Sequence, residues 1–134
     1  MSKTDSNKET TEKEATEPTP GQSTILDAAN IPWQDAPHAG IRMKLLWQDP
    51  QSGASTILFK FEPGARTPLH RHAGIEQTYV LEGSLADHDG EVRAGGYVVR
   101  IPGSVHQAHA PNGSMHISFF SKRNIMLNDN TVFP

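Results

Sequence analysis

The stretch Gly64-Ala65-Arg66-Thr67-Pro68-Leu69-His70-Arg71-His72-Ala73-Gly74-Ile75-Glu76-Gln77-Thr78-Tyr79-Val80-Leu81-Glu82-Gly83 carries the residues on which the fold and the chemistry both turn. Residues two apart on a strand share a face, so His70 and His72 set two imidazoles side by side. Gly74 permits a turn after them, and Glu76 can bring a carboxylate back beside the pair as a third ligand. Nitrogen and oxygen donors so arranged suit a divalent transition metal. If the histidines face inward, Glu76, Thr78 and Val80 share their side while Gln77, Tyr79 and Leu81 point away. Taken alone, an HxH pair also fits surface histidines or hydrogen-bonded structural ones.

On either side of this stretch the pattern stays extended. In Ile41-Arg42-Met43-Lys44-Leu45-Leu46-Trp47 the apolar side chains fall mainly on odd positions, and Ile57, Phe59 and Phe61 alternate with Leu58 and Lys60. Each run therefore reads as a strand with one buried face. Further strands are expected over 67–72, 76–82, 84–88, 91–93, 97–101 and 115–120, with Asp89-Gly90 as a hairpin turn. No window sustains helical spacing, and residues 26–30 allow a helical turn at most. The class is all-β, a barrel or sandwich.

At 134 residues without internal repeats the chain fits one domain. Residues 1–24 are polar and proline-containing, too poor in large apolar side chains to offset the entropy of ordering, so a disordered tail is expected ahead of a domain over 25–134. The net charge is -3 and the basic residues are scattered apart from Lys122-Arg123, so no stripe is available to a phosphate backbone, and nucleic acid is excluded as a partner. Without cysteine, disulfides and thiolate ligands are excluded together. No apolar stretch reads as a signal peptide or membrane span, so no membrane association is expected and a cytoplasmic protein is.

Spelled out, the opening stretch is Gly, five residues, His-x-His, three residues, Glu, six residues, Gly. In this it resembles the first signature motif of the cupin superfamily at every defined position. Gly95-Gly96-Tyr97-Val98-Val99-Arg100-Ile101-Pro102-Gly103-Ser104-Val105-His106 resembles the second, with Gly95, Gly103 and His106 in register. Ile101 holds the usual proline position, the proline following at Pro102, and Ala110 stands where that motif often has asparagine. The resemblance covers residues 33–127 and implies a single RmlC-like jelly-roll barrel, with His70, His72, Glu76 and His106 as ligands of one divalent transition metal. Fe(II) or Zn(II) is the leading expectation, with Ni or Mn next. The run His70 to Gly90, followed by Ala94-Gly95-Gly96-Tyr97-Val98 and Pro102-Gly103-Ser104-Val105-His106, is similar to the ChrR-like cupins. That group includes the cupin half of zinc-binding anti-sigma factors and is similar to acetylacetone-cleaving and dihydroxyacetophenone dioxygenases. The anti-sigma factors carry the three-His, one-Glu set, whereas the diketone-cleaving enzymes use three histidines alone. With a short polar leader and no cysteine, the chain is not expected to act as an anti-sigma factor.

Three neutral imidazoles and a carboxylate leave two positions of an octahedral metal open, enough for a bidentate oxygen ligand, or for one substrate atom and dioxygen. The expected function is a metal-dependent cupin acting on a small oxygenated metabolite by dioxygenase chemistry, with Glu76 as catalytic ligand or base. The alternatives are a non-catalytic metal-binding or sensing module, and a non-redox Zn or Ni isomerase or lyase. Gln77, Thr78, Arg100, His109 and Phe59 are candidates for the pocket or for orienting a ligand. His88 is assigned to the hairpin, His38 to an approach loop and His116 to an ordinary strand position that can still face the cavity. Tyr79, Trp47, Trp33 and Phe119 are expected in the core or an interface. By resemblance, the chain is expected to form a homodimer.

Overall fold

The computed structural model describes residues 20–133. Of the tail expected over 1–24, residues 1–19 lie outside the described residues, and 20–24 are exposed without regular structure. Eleven strands follow: β1 Gln34–Asp35, β2 Ile41–Gln48, β3 Ser55–Phe61, β4 His70–Arg71, β5 Glu76–Asp87, β6 Gly90–Arg93, β7 Tyr97–Arg100, β8 Val105–His106, β9 Ser114–Phe120, β10 Asn124–Met126 and β11 Val132–Phe133. The helical turn allowed at 26–30 is a single 3-10 turn over Ala28–Asn30, capped by Asp27, whose carboxylate accepts the Ala29 N–H. Among the described residues, no helix is long and apolar enough to cross a membrane.

The larger sheet runs β1-β2-β3-β9-β5-β6, with β7 also on β5, and the smaller runs β11-β10-β4-β8. Every strand pairing among the described residues is antiparallel, as hairpin connections produce. Strict alternation in β3 and β9 buries Phe59 and Phe61 on one and His116, Ser118 and Phe120 on the other. These meet Val80, Leu85 and Ile41 in one apolar cluster. The fold is the cupin barrel, nearly all β.

Two features differ from the expected strands. Residues 76–82 and 84–88 form one continuous strand, β5, which pairs with β7 through its first half and with β6 through its second. It passes Gly83 at φ 68°, where a Cβ would collide with the Gly113 carbonyl oxygen, so only glycine keeps the strand running. The hairpin turn sits one residue earlier than expected: Asp87 pairs with Gly90 across His88 and Asp89. The Asp87 carboxylate fixes it there by accepting the Asp89 N–H at 2.8 Å. Lys44, expected on an outward face, is buried because the segment before β1 folds over it. Its Nζ donates to the Ala28 carbonyl at 2.8 Å and lies 4.8 Å from the Trp33 ring centre.

Candidate metal centre

His70 lies on β4 directly across from His106 on β8, and the ladder continues past them, with the His72 N–H donating to the Ser104 carbonyl. All three imidazoles therefore belong to the small sheet. Glu76 opens β5 of the large sheet, after a turn in which Gly74 packs so closely on Ser121 that a Cβ would strike its hydroxyl. The site thus bridges the two sheets.

The ring centres of His70, His72 and His106 are 4.5–4.9 Å apart, and one nitrogen from each lies within 4.8 Å of the others. Two of the rings are oriented by outside partners. His70 donates Nδ1–H to the Pro68 carbonyl at 2.8 Å and His106 donates Nδ1–H to an Asp87 oxygen at 2.8 Å, which leaves both Nε2 atoms as lone pairs for the centre. His72 is sealed at 1 % exposure, with Asn124 beside it but neither nitrogen in hydrogen-bonding geometry with a partner, and His106 Nε2 is likewise buried without one. Buried polar atoms are almost always satisfied, so these orphaned nitrogens fit a metal ion. Burial, reinforced by the neighbouring imidazoles and Arg100, lowers His72 to about 3 and His106 to about 4, and burial lowers His70 too. All three are neutral at physiological pH, the form that ligates.

Glu76 stands beside this trio. Its Oε1 is 3.3 Å from His72 Nε2, and its Oε2 accepts the Thr78 hydroxyl at 2.8 Å. The one Thr78 hydrogen goes to Glu76, so the Ser118 hydroxyl, 2.6 Å away, donates to Thr78. Burial raises the Glu76 carboxyl above its ordinary value, against the Thr78 hydrogen bond and Arg100.

The remaining candidates divide. Thr78 faces inward, and Phe59 lines the cavity. Gln77 does not belong to the pocket: it lies on the outer face of β5, where it accepts the Tyr97 hydroxyl at 2.7 Å, as strand alternation requires. His109 is held away from the centre by backbone pairing with Ala86 and Arg66, on the side of Glu91. Arg100 is buried rather than exposed, and its Nη1 is 2.6 Å from the same Asp87 oxygen that His106 contacts.

Asp87 is the residue that the spacing concealed. Counting by twos from Glu76 puts position 87 outside. A bulge between Val80 and Glu82, against β9, inserts one residue and reverses the parity. Leu85 then lines the cavity and the Asp87 side chain is 2 % exposed. Burial alone would raise Asp87, but its hydrogen bonds from His106 and the Asp89 N–H, with Arg100 beside it, hold it net below the ordinary value.

The cavity lies between the sheets, since both supply its walls. His70, Glu76 and His106 are among its walls, and Phe59, Phe61, Leu85 and Phe120 make most of the lining apolar beside Thr67, His116, Ser118 and Asn124. It offers about 50 Å³ to the centres of water-sized molecules, several times what one water needs, and so admits a small molecule but no polymer.

An antiparallel β-barrel with an inward cluster of three imidazoles is the arrangement of a cupin whose site could hold a metal ion. The chain belongs to the ChrR Cupin-like domain family, which matches residues 21–125. No curated protein matches it in sequence. Among solved structures it is similar to a candidate acetylacetone dioxygenase from Methylibium petroleiphilum, at 20% identity over 87% of this chain and 89% of that one, with a TM-score of 0.77. It is similar also to an acetylacetone dioxygenase from Acinetobacter johnsonii, at 21% identity over 89% and 87% of the two chains, TM-score 0.72. The anti-sigma ChrR of Rhodobacter sphaeroides, solved with SigE, is 22% identical over 70% of this chain and 51% of its own, TM-score 0.61. At these identities the likeness is one of fold.

Proposed function

We propose that the chain is a metal-dependent enzyme that binds one divalent ion through His70, His72, His106 and Glu76 and acts on a small oxygenated molecule by dioxygenase-type chemistry. The observation that carries this reading is the convergence of three neutral imidazoles, two with orphaned buried nitrogens, of which His70 and His106 line a largely apolar cavity. When bound there, the ion supplies Lewis acidity toward a substrate carbonyl or enol oxygen and, as Fe(II), electrons for dioxygen.

The chain's own groups do the rest. Pro68 and Asp87 hold the His70 and His106 rings in the tautomer that ligates. Glu76, raised by burial and fixed at Oε2 by Thr78, keeps Oε1 for one of two roles, ligand of the ion or, where the three histidines alone hold it, acceptor of a proton from a substrate carbon or hydroxyl. The apolar walls exclude bulk water, which strengthens each polar contact inside. The neighbouring dioxygenases lend support as relatives in fold.

The test is anaerobic loading of the purified chain with Fe(II), followed by oxygen uptake with a panel of diketones and aromatic ketones. Uptake with at least one compound, lost in Glu76→Gln, is expected. No uptake with any compound would end the dioxygenase reading, and turnover with Zn(II) alone would replace it by a non-redox reaction.

A homodimer belongs to the same proposal. Its support is the outer face of β5 and β7, where Tyr79, Leu81, Tyr97 and Val99 are each 45–54% exposed on adjacent strands.

A further inference from the structure

β9 sends Ser114, His116, Ser118 and Phe120 inward in turn. His116 therefore lines the same cavity as the histidine cluster without belonging to it, and since Glu76 pairs with Phe120 and Val80 with His116, it stands four residues along β9 from the Glu76 position. Its ring stacks on Phe59 with centres 5.3 Å apart and planes 28° apart, and meets the Phe61 edge at 4.9 Å. Its Nδ1 shares a hydrogen bond of 2.9 Å with the Ser114 hydroxyl. Its Nε2 has no protein partner among the described residues and is not among the buried polar atoms sealed from all contact, so it opens on the cavity. Burial lowers the ring to about 3, which makes it a neutral hydrogen-bonding group rather than a cation. One stacked phenylalanine, one edge-on and a serine hold one imidazole nitrogen toward a largely apolar space.

Charge narrows what that nitrogen can meet. No lysine or arginine lines the cavity among the described residues. Lys44 is committed to the Ala28 carbonyl and Arg100 to Asp87. An anionic group at the His116 end would be buried unpaired, whereas a hydroxyl or carbonyl there would be satisfied by one hydrogen bond.

We infer that His116 is a substrate-recognition residue, forming a second polar pole that hydrogen-bonds one uncharged oxygen of a compact molecule whose other oxygens lie at the histidine cluster. This rests on the proposed function for the metal end only. It adds a substrate class: neutral molecules oxygenated at both ends, with carboxylates at the far end rejected.

The probes are three matched diketones, heptane-2,4-dione, 7-hydroxyheptane-2,4-dione and 4,6-dioxoheptanoate, titrated calorimetrically into the Zn(II)-loaded full chain, which does not turn over oxygen. Wild type should bind the hydroxylated compound about tenfold more tightly than its parent, the worth of one hydrogen bond to a buried group, and the carboxylate weakest. His116→Phe should keep its zinc and lose the tenfold preference, and His116→Gln, which puts an amide near the Nε2 position, should regain part of it. In wild type, the ¹⁵N resonance of His116 Nε2 should move with the hydroxylated compound and stay with the parent, a readout that a purely structural histidine would not give. Equal binding of hydroxylated and parent compounds by wild type, a preference that survives His116→Phe, or no binding of any of the three overturns the inference. Oxygen uptake by the iron form without this preference overturns the inference and leaves the reaction standing, while the preference without uptake does the reverse.

Discussion

Asp87 Oδ2 accepts from His106 Nδ1 and from Arg100 Nη1, and Oδ1 accepts the Asp89 N–H, so one carboxylate orients the proposed ligand His106, pairs a buried cation and closes a hairpin. Asp87→Asn keeps the shape but removes the charge, so metal affinity measured by chelator competition should fall about 10–100-fold. The same change leaves Arg100 buried without a counter-charge and should lower stability by roughly 3–5 kcal/mol, read from the urea midpoint. His72→Ala removes a proposed ligand outright, and elemental analysis of the purified variant should find most of the metal gone. Metal content equal to wild type would end the assignment of that residue. His70, His72 and Glu76 were legible because their spacing is local, set within one strand-turn-strand segment. Asp87 was not, because its partners come from β7 and β8 and its facing depends on a bulge.

At the level of elements, the bulge in β5 decides which face the second half of the strand presents, and Gly83 lets the strand continue past β9. Gly83→Ala meets both a positive φ of 68° and the Gly113 carbonyl, whereas Gly64→Ala meets only a φ of 81° in open space. The first should cost several times the second, which belongs near 1 kcal/mol, and paired denaturation curves measure the difference. A similar cost at both sites would mean that the close approach to Gly113 does not matter. Both glycines stand at motif positions, but only the fold separates a conformational requirement from a steric one. The two-residue strands β4 and β8 owe their existence to pairing, since neither carries enough length to announce itself by alternation.

For the molecule as a whole, the buried histidines make stability depend on pH. Imidazoles of the unfolded chain titrate near 6.5, whereas folded His72 and His116 lie at about 3 and His106 at about 4. Between those values the unfolded state binds more protons, so stability present above pH 6.5 is lost as pH falls, at up to roughly 1.4 kcal/mol per pH unit for each imidazole. Glu76, raised when folded, works in the opposite sense, one group against His70, His72, His106 and His116, all lowered. The urea midpoint of the metal-free protein should therefore drop from pH 7 to pH 5, and a flat profile would contradict the buried neutral rings. Divalent metal at a hundredfold excess over its Kd should add about 2.7 kcal/mol, reversed by EDTA. If the outer face of β5 and β7 pairs two copies, sedimentation should return twice the chain mass, and Tyr97→Glu the single mass. By itself the sequence determined the all-β class, the facing of Glu76, Thr78 and Val80, and the His70–His72 pair, because strand period and ligand spacing act over a few residues, while His106 entered only through the resemblance to the second motif. Only the tertiary structure decided that Asp87 and Arg100 support the cluster, that His109 stands apart from it, and that His116 faces the same cavity. Those facts depend on a bulge and on which strands lie side by side, and residues far apart in the chain settle both.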